Sequence, residues 1–438
     1  MRRFAFLFLL LATIAGLAWA ATHVRIIGPG EAPGGDGPAE AEAAASASFE
    51  AEIGDPEPPA GVIDYARIER RLRLLMEQPQ MVGLAVGIVE DGQIRFLQGY
   101  GETVAGSGDP VTVDTVFRWA SLSKGVAGDM VALLAEEGKL SLHDPISRWS
   151  TSLRLPGGAE ARATVSDLLS HRLGLFAHAH DAKLEDDHDP RVLRGELATL
   201  NAICPPGQCH AYQNVAFDAA AEIVERVTGL PYREAVRERL FLPLGMTSAS
   251  MTRAELVAAP SWARPHVGGR NSRPVEVTDA YYRVPAAGGV NSSIKDLALW
   301  LRAQMGVEPD ILSPQLLRTV QEPRARTPRE NVRRRRWADR IGDAAYGLGW
   351  RIYDYAGHRV VGHRGGLRGY RSLILFDRAR RTGIVALWNS STRQPGGIEY
   401  EVMDMLYGLP FRDWLELDEG DPPEPEAPEA EEALQQGG

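Results

Sequence analysis

One helix constrains the fold of this chain more than any other stretch. Apolar residues recur four apart at Val126, Met130 and Leu134, which predicts a helix over residues 121–137 with Gly138 as its stop. A helix this poor in polar residues has to be buried. We therefore expect the rest of the fold to be organised around it.

A serine and a lysine lie three residues apart at the start of this helix. Ser121 and Lys124 therefore share one face of its first turn. A serine hydroxyl is a poor nucleophile until a neighbouring base takes its proton, and a desolvated lysine can be neutral enough to do so. The alternative is a solvated lysine beside a helix-capping serine. No carboxylate lies one turn from Lys124 to pair with it, which argues against that alternative.

The same Ser-x-x-Lys spacing occurs a second time, at Ser292 and Lys295. There, Ser293 and Asp296 form a Ser-x-x-Asp helix start ahead of an apolar run. We interpret this second motif as a helix cap. The spacing alone does not identify a catalytic serine, so the distinction has to come from residues further along the chain.

Length and charge narrow the classes of protein to consider. A chain of 438 residues can bury a large core, and its 44% hydrophobic and 24% charged residues are typical of a globular enzyme. The net charge of -10 argues against nucleic acid as a partner.

The N-terminus has the pattern of an export signal. A basic start at residues 1–3 precedes a short apolar run over residues 4–17 and a small-x-small sequence at 18–20. We expect an exported protein, either periplasmic or secreted. Alternatively, residues 4–21 stay uncleaved and tether the protein to the inner membrane.

Composition divides the chain into four parts. Two of them are rich in Ala, Glu and Pro, have little to bury and should be disordered. The predicted parts are a signal peptide or anchor (1–21), a disordered linker (22–60), a folded domain (61–416) and a disordered acidic tail (417–438).

Two further clusters bear on disulfides and metals. Cys204 and Cys209 are the only cysteines, and in an exported protein they predict a small-loop disulfide. His178, His180 and Asp181 lie in a polar loop over residues 178–190 that lacks the Asp-His pair of a zinc hydrolase, which favours a solvated loop over a metal site. We expect no metal and no organic cofactor.

Strand patterns lie near both ends of the folded region. Residues 82–89 and 94–101 predict a hairpin. Later strands are predicted at residues 360–362, 372–376 and 383–388, and further helices at residues 64–77, 165–170, 215–228 and 232–240. This order predicts a mixed α/β (α+β) fold, in which helices flank an antiparallel sheet built from both chain ends and a mostly helical insertion carries the site.

Three short motifs follow one another along the chain: Ser121-x-x-Lys124, Tyr212-x-Asn214 and His363-x-Gly365. In this order they resemble the serine beta-lactamase and penicillin-binding-protein superfamily, and the tyrosine resembles its class C-like branch, which also holds esterases and D-amino-acid peptidases. The resemblance covers about residues 63–407. Further stretches that resemble the family lie at residues 83–86, 99–101, 167–171, 243–246, 287–289 and 346–350.

The resemblance implies a role for each motif residue. Ser121 is the acylated nucleophile, and Lys124 and Tyr212 share the general-base and general-acid work. Asn214 holds Lys124 and the amide or carbonyl of the substrate. The backbone N–H groups of Ser121 and Gly366 form the oxyanion hole. The structural alternatives are a packed aromatic at Tyr212 and a helix cap at Asn214.

His363 departs from the family pattern, because classical penicillin-binding members carry a lysine there. With Gly365 and Gly366 it is expected to bind the substrate, but a histidine is a weaker and pH-dependent partner for a substrate carboxylate. Arg364 or Arg368 would have to compensate. The resemblance therefore implies esterase or peptidase activity in preference to efficient lactam hydrolysis.

Taken together, these features predict an exported serine hydrolase that acts through an acyl-enzyme on an ester, amide or lactam of a small molecule or peptide. The alternative is a non-catalytic envelope protein that keeps the fold as a binding module. Ser121, Lys124 and Tyr212 argue against it, since a binding module has no need of all three. A third alternative is a zinc hydrolase. Such an enzyme would lose its activity to chelators and retain it after Ser121→Ala.

Overall fold

Antiparallel pairing connects the two ends of the folded chain. The structure, a computed structural model, describes residues 61–327 and 337–417. Its strands are β1 (Gly83–Glu90), β2 (Gln93–Gly101), β3 (Val116–Arg118), β4 (His266–Val267), β5 (Arg273–Pro274), β6 (Asn291–Ser293), β7 (Ala325–Arg326), β8 (Ile341–Tyr346), β9 (Arg351–Tyr355), β10 (His358–Leu367), β11 (Tyr370–Asp377) and β12 (Thr382–Trp388).

Eight of these strands form one sheet in the order β2-β1-β12-β11-β10-β9-β8-β7. The early strand β1 pairs with β2 on one side and with the late strand β12 on the other, which confirms the predicted sheet. The sequence patterns do not reveal β7, β8 and β9. Gly342 and Asp343 interrupt β8 with residues of low strand propensity, which hides it from pattern analysis.

Helices pack on both faces of the sheet. They are α1 (Tyr65–Met76), α2 (Ser123–Glu136), α3 (Val165–Leu169), α4 (Asp181–Glu185), α5 (Pro190–Glu196), α6 (Ala219–Thr228), α7 (Tyr232–Val236), α8 (Arg253–Ala258), α9 (Pro285–Gly288), α10 (Ile294–Gln304), α11 (Pro314–Val320) and α12 (Ile398–Leu406). Alternate residues of β1 enter two different cores, because successive side chains of a strand point to opposite faces. Leu84 and Val86 pack with α1 and α12, whereas Ala85 and Val89 pack with α2 and α10.

The predicted central helix is α2, and close contacts surround it. A Cβ atom at Gly128 would lie 2.1 Å from the carbonyl oxygen of Leu348, and one at Gly125 would lie 2.6 Å from the Trp350 ring. Only glycine allows this approach. The helix begins at Ser123, two residues later than predicted, because residues 120–122 form a separate 3-10 turn. We call Ala120–Leu122 the helix-entry turn.

Other predicted boundaries differ from the structure as well. The helix expected over 215–228 begins at Ala219, because residues 215–218 form turns. The helix expected over 232–240 changes at Arg237 into a π-helix that ends at Phe241. The loop expected over 178–190 contains α4, which the buried side chain of Leu184 anchors to the core.

The predicted disulfide between Cys204 and Cys209 is confirmed. Within the described residues, no helix has both the length and the apolar composition needed to cross a membrane. Three predicted segments lie outside the described residues: the signal or anchor, the linker, and all of the tail except its first residue. They therefore stay predictions.

Candidate active site

Buried hydrogen bonds hold the backbone of the helix-entry turn. The Ser372 hydroxyl on β11 donates to the Trp119 carbonyl at 2.6 Å, and the Ser123 hydroxyl donates to the Ala120 carbonyl at 2.7 Å. Ala120 has a φ of 50°, in the left-handed region that costs a non-glycine residue about 1–3 kcal/mol. The surrounding contacts thus sustain a strained turn, and Ser121 lies half-buried among buried neighbours.

Lys124 is fully buried and bonded to two oxygens. Its Nζ donates to Asn214 Oδ1 at 2.7 Å and to the Ala287 carbonyl of α9 at 2.9 Å. Both partners can only accept, so each requires an N–H of the lysine. A neutral amine has two N–H groups for these bonds and keeps its lone pair uncommitted, which is the state that a general base needs.

The surroundings of Lys124 favour its neutral form. Burial is the main cause that lowers the pKa of Lys124 to about 7, and the nearby charge of Arg351 lowers it further. The carboxylates of Asp181 and Asp218 act in the opposite direction. The neutral form of Lys124 is therefore accessible near neutral pH, whereas solvent-exposed lysines are almost entirely charged there.

Tyr212 lies beside the lysine with its hydroxyl available. The ring centroid is 4.7 Å from Lys124 Nζ. Burial is the main cause that raises the pKa of Tyr212 to about 12, although Arg351 and the nearby Ser121 hydroxyl lower it in part. The Ser121 and Tyr212 hydroxyls are close but do not form a well-aligned hydrogen bond. Within the described residues, Tyr212 Oη has no hydrogen-bond partner of acceptable geometry. At neutral pH this phenol is protonated and can give a proton to a reacting group.

Asn214 links the lysine to an acid that the motifs do not include. Its Oδ1 faces Lys124, and its Nδ2 donates to Asp181 Oδ2 at 2.7 Å. The side chain therefore does not cap a helix, and α6 begins only at Ala219. Asp181 is thus a site residue that motif analysis missed, because it belongs to the loop examined for metal ligands.

That loop does not bring its three candidate ligands together. His178 Nδ1 lies 2.9 Å from Asp181 Oδ2, whereas His180 interacts with Glu196. In residues 61–327 and 337–417, no group of three or more His, Cys, Asp or Glu side chains is arranged to hold a metal ion.

His363 lies at the edge of this cluster, with its ring centroid 6.2 Å from that of Tyr212. Its Nδ1 is 2.9 Å from the Arg364 carbonyl oxygen, which can only accept, so Nδ1 carries the proton. Nε2 then accepts the Tyr346 hydroxyl at 3.0 Å. Burial lowers the pKa of His363 well below its ordinary value. In this arrangement the ring is neutral and offers no charge to a substrate carboxylate.

Gly365 is the residue at which β10 approaches the helix-entry turn. A Cβ atom there would lie 2.1 Å from Ser372 Oγ and 2.3 Å from the Trp119 carbonyl oxygen. Beyond Gly362, β10 pairs with β11 but no longer with β9. The strand therefore has an open edge next to the turn, and Gly366, the predicted oxyanion donor, lies on this part of the strand.

Gly365→Ala is expected to lower kcat/KM by about 100-fold, since a misplacement of about 1 Å near reacting atoms has an effect of this size. The methyl group cannot enter without moving β10 away from the turn, because one of its nearest neighbours is backbone. Steady-state kinetics with a chromogenic ester measure the loss. Gly195→Ala in α5 is the control, since a Cβ there would lie 3.9 Å from its nearest neighbour. Equal activity of the two variants would contradict the close approach.

The two arginines expected to compensate for His363 differ in their surroundings. Arg364 donates to Glu399 of α12 at 2.6 Å, and Arg368 is exposed. A further cation, Arg351 on β9, lies close to the cluster, with its Cζ 5.6 Å from the ring centroid of Tyr212. Because β9 carries no recognisable motif, only its pairing with β10 brings this charge to the site.

Comparisons with known proteins show which family and which proteins this chain is similar to. The Beta-lactamase family model matches residues 68–403. Unguisins hydrolase ungD of Aspergillus violaceofuscus (strain CBS 115571) is 25% identical over 386 residues, covering 79% of this chain and 65% of that protein. Penicillin-binding protein 4 of Amycolatopsis lactamdurans is 28% identical over 316 residues, covering 71% of this chain and 81% of that protein. This chain therefore spans less than two thirds of the length of ungD.

A solved structure shares the fold. The octameric penicillin-binding protein homologue from Pyrococcus abyssi superposes with a TM-score of 0.71 at 24% sequence identity, over 79% of this chain and 78% of that one. At this identity the similarity establishes the large antiparallel sheet with its flanking helices, and the chemistry has to be argued from the site itself.

Proposed function

Since the chain belongs to the Beta-lactamase family of serine hydrolases, we propose that it cleaves an ester or amide bond through an acyl-enzyme formed on Ser121. The observation that carries this proposal is the environment of Lys124. A buried lysine that donates to two carbonyl-type oxygens and has a pKa of about 7 can accept a proton from a nearby serine. A binding module has no need for such a base.

In the acylation step, Ser121 Oγ attacks the substrate carbonyl carbon while Lys124 Nζ takes the hydroxyl proton. The negative charge that develops on the carbonyl oxygen is stabilised by the backbone N–H groups of Ser121 and Gly366. When the tetrahedral intermediate collapses, the Tyr212 hydroxyl protonates the leaving group, and the ammonium of Lys124 returns a proton to Tyr212.

Deacylation repeats these transfers with water as the nucleophile. Water gives a proton to the base, adds to the acyl carbon, and the Ser121 oxygen leaves with a proton from the same pair of groups. The pKa of Tyr212, which burial raises to about 12, supports the acid role for the phenol and the base role for Lys124.

The substrate preference follows from the charges near the site. A neutral His363 bonded to Tyr346 supplies no cation on β10, which supports esters and amides over carboxylate-bearing beta-lactams. The positive charge of Arg351 lies close to Tyr212, the acid that protonates the leaving group. A leaving group that bears a carboxylate, as in a D-amino-acid peptide, can therefore be attracted by Arg351. We propose esterase or D-amino-acid peptidase activity, with slow lactam turnover.

A panel of acyl donors tests this proposal. We expect kcat/KM for p-nitrophenyl acetate or for an N-acyl-D-alanyl-D-alanine peptide to exceed that for nitrocefin by at least about 10-fold, since a lost charge pair in a binding site costs about that much. Faster turnover of nitrocefin would reverse the assignment. Turnover of none of the three by folded protein, together with tight binding of a penicillin, would favour the binding module.

We also propose that the protein acts outside the cytoplasm. Residues 1–20 have the composition of an export signal, and a disulfide between Cys204 and Cys209 persists best in an oxidising compartment. Tethering of the protein to a membrane through residues 4–21 belongs to the same proposal.

A further inference from the structure

We propose that Asp181 is a positioning residue, which holds the side-chain amide of Asn214 with its oxygen directed at Lys124. The proposal rests on the proposed function, since it concerns the base of that reaction. It also accounts for the loop of residues 178–181, which the catalytic motifs leave unexplained.

The chemistry of the three groups requires one orientation of the amide. The oxygen and nitrogen of an asparagine amide are nearly equal in size, so sterics do not choose between them. The Asp181 carboxylate can only accept, and it therefore selects Nδ2 of Asn214 at 2.7 Å. Oδ1 is then left for Lys124 Nζ, also at 2.7 Å. Without the carboxylate, the amide can rotate and present its N–H groups to the lysine, which removes an acceptor.

Asp181 is itself held in place by its own loop. His178 Nδ1 lies 2.9 Å from the same Oδ2, and the His178 backbone N–H donates to the Tyr212 carbonyl at 2.8 Å. The side chain of Asp181 is 14% exposed, whereas that of His178 is 60% exposed. His178 and His180 both have φ in the left-handed region, at 61° and 65°. The loop thus adopts two uncommon backbone conformations and directs the carboxylate inward.

The charge of Asp181 acts on the site as well. The Asp181 carboxylate raises the pKa of three neighbouring groups, Lys124, Tyr212 and Tyr281. The His178 ring, from the same loop as Asp181, also faces this carboxylate. Removing this negative charge destabilises the ammonium form of Lys124 and lowers its pKa. Activity that depends on neutral lysine should then persist to lower pH.

Two substitutions separate the effects of charge and orientation. Asp181→Asn removes the charge but keeps an oxygen that can accept from Asn214, whereas Asp181→Leu removes both. Asp186→Asn is the matched control, since Asp186 is an exposed residue at the end of α4. All variants are compared with the wild-type chain in kcat/KM against pH for a p-nitrophenyl ester, and in thermal stability.

We expect the plateau of kcat/KM to fall by about 10-fold in Asp181→Asn and by about 100-fold in Asp181→Leu, because misplacement near the reacting groups has effects of that size. Both Asp181 variants should shift the midpoint of the acid limb to lower pH. Asp186→Asn should change neither the plateau of kcat/KM nor this midpoint. A purely structural role would lower stability and leave the midpoint in place, which would overturn the proposal.

Failure of this proposal can be told apart from failure of the proposed function. Wild-type protein that gains no fluorophosphonate adduct at Ser121 would refute the hydrolase, whatever Asp181 does. The titration of Lys124, followed by NMR on protein labelled with ¹³C-lysine, needs no turnover. An unchanged Lys124 pKa in folded Asp181→Asn would refute the electrostatic effect of Asp181, and an unchanged plateau of kcat/KM in the same variant would refute its positioning role. If Asp181→Leu fails to fold, Asp181→Asn alone decides through the same two measurements.

Discussion

Ser121→Ala is expected to reduce ester hydrolysis to background, a loss of about 10⁶-fold in kcat, because removal of the nucleophile abolishes the acyl-enzyme route. Intact-protein mass spectrometry after incubation with a fluorophosphonate should show one adduct on the wild-type protein and none on the variant. Binding of a competitive inhibitor should be retained, since the variant loses only a hydroxyl at a half-buried position. Residual activity near that of the wild type would require another nucleophile.

The second Ser-x-x-Lys motif supplies the control for this experiment. The Ser292 hydroxyl accepts from Trp119 Nε1 at 2.8 Å and donates to the Ser293 carbonyl at 2.8 Å, and the side chain of Lys295 is 59% exposed. Ser293 accepts from the Asp296 N–H, which confirms the predicted helix cap. Ser292→Ala should therefore keep the fluorophosphonate adduct. Loss of labelling in folded Ser292→Ala would mean that the motifs had been assigned wrongly.

Lys124→Arg is expected to lower kcat/KM by about 10³- to 10⁴-fold. Arginine keeps the positive charge but does not lose its proton at accessible pH, so it cannot act as a base. The substitution separates two mechanisms. If a cation only stabilised the phenolate of Tyr212, arginine would preserve much of the activity. Lys295→Arg, in the exposed second motif, is the control and should retain wild-type kinetics.

The pH profile of the wild-type enzyme tests the same assignment. Since the pKa of Lys124 lies at about 7, its neutral fraction increases with pH. We expect kcat/KM to increase about 10-fold per pH unit below that value and to level off above it. Lys124→Arg should lack this limb. A wild-type profile that is flat between pH 5 and 8 would show that Lys124 is not the base.

Local sequence was sufficient to predict the family and the main sheet. The apolar spacing of α2 follows from the period of a helix. The continuous apolar run of β1 is typical of a strand that is buried on both faces, as β1 is. The order of Ser121, Tyr212 and His363 along the chain carries family information that no single motif does.

Local sequence was insufficient where partners come from distant parts of the chain. The sequence pattern places Ser121 and Leu122 in α2, because the positive φ of Ala120 just before them depends on contacts with β11 that the local sequence does not encode. The sequence pattern does not indicate strand β9, and it therefore gives no sign of Arg351. It draws attention to Arg364 beside His363, which pairs with Glu399 on α12.

The sequence by itself determined which chemical groups the protein has and which of them share a helix face, since spacing within one element depends only on local geometry. The tertiary structure decided their protonation states and partners. Lys124 and Asn214 are 90 residues apart in sequence, yet their side chains are hydrogen-bonded. The pKa of Lys124 is about 7 because the whole fold excludes water from it. Burial of the amine is a property of the packed domain, so the lowered pKa of Lys124 comes from the fold and not from its spacing to Ser121.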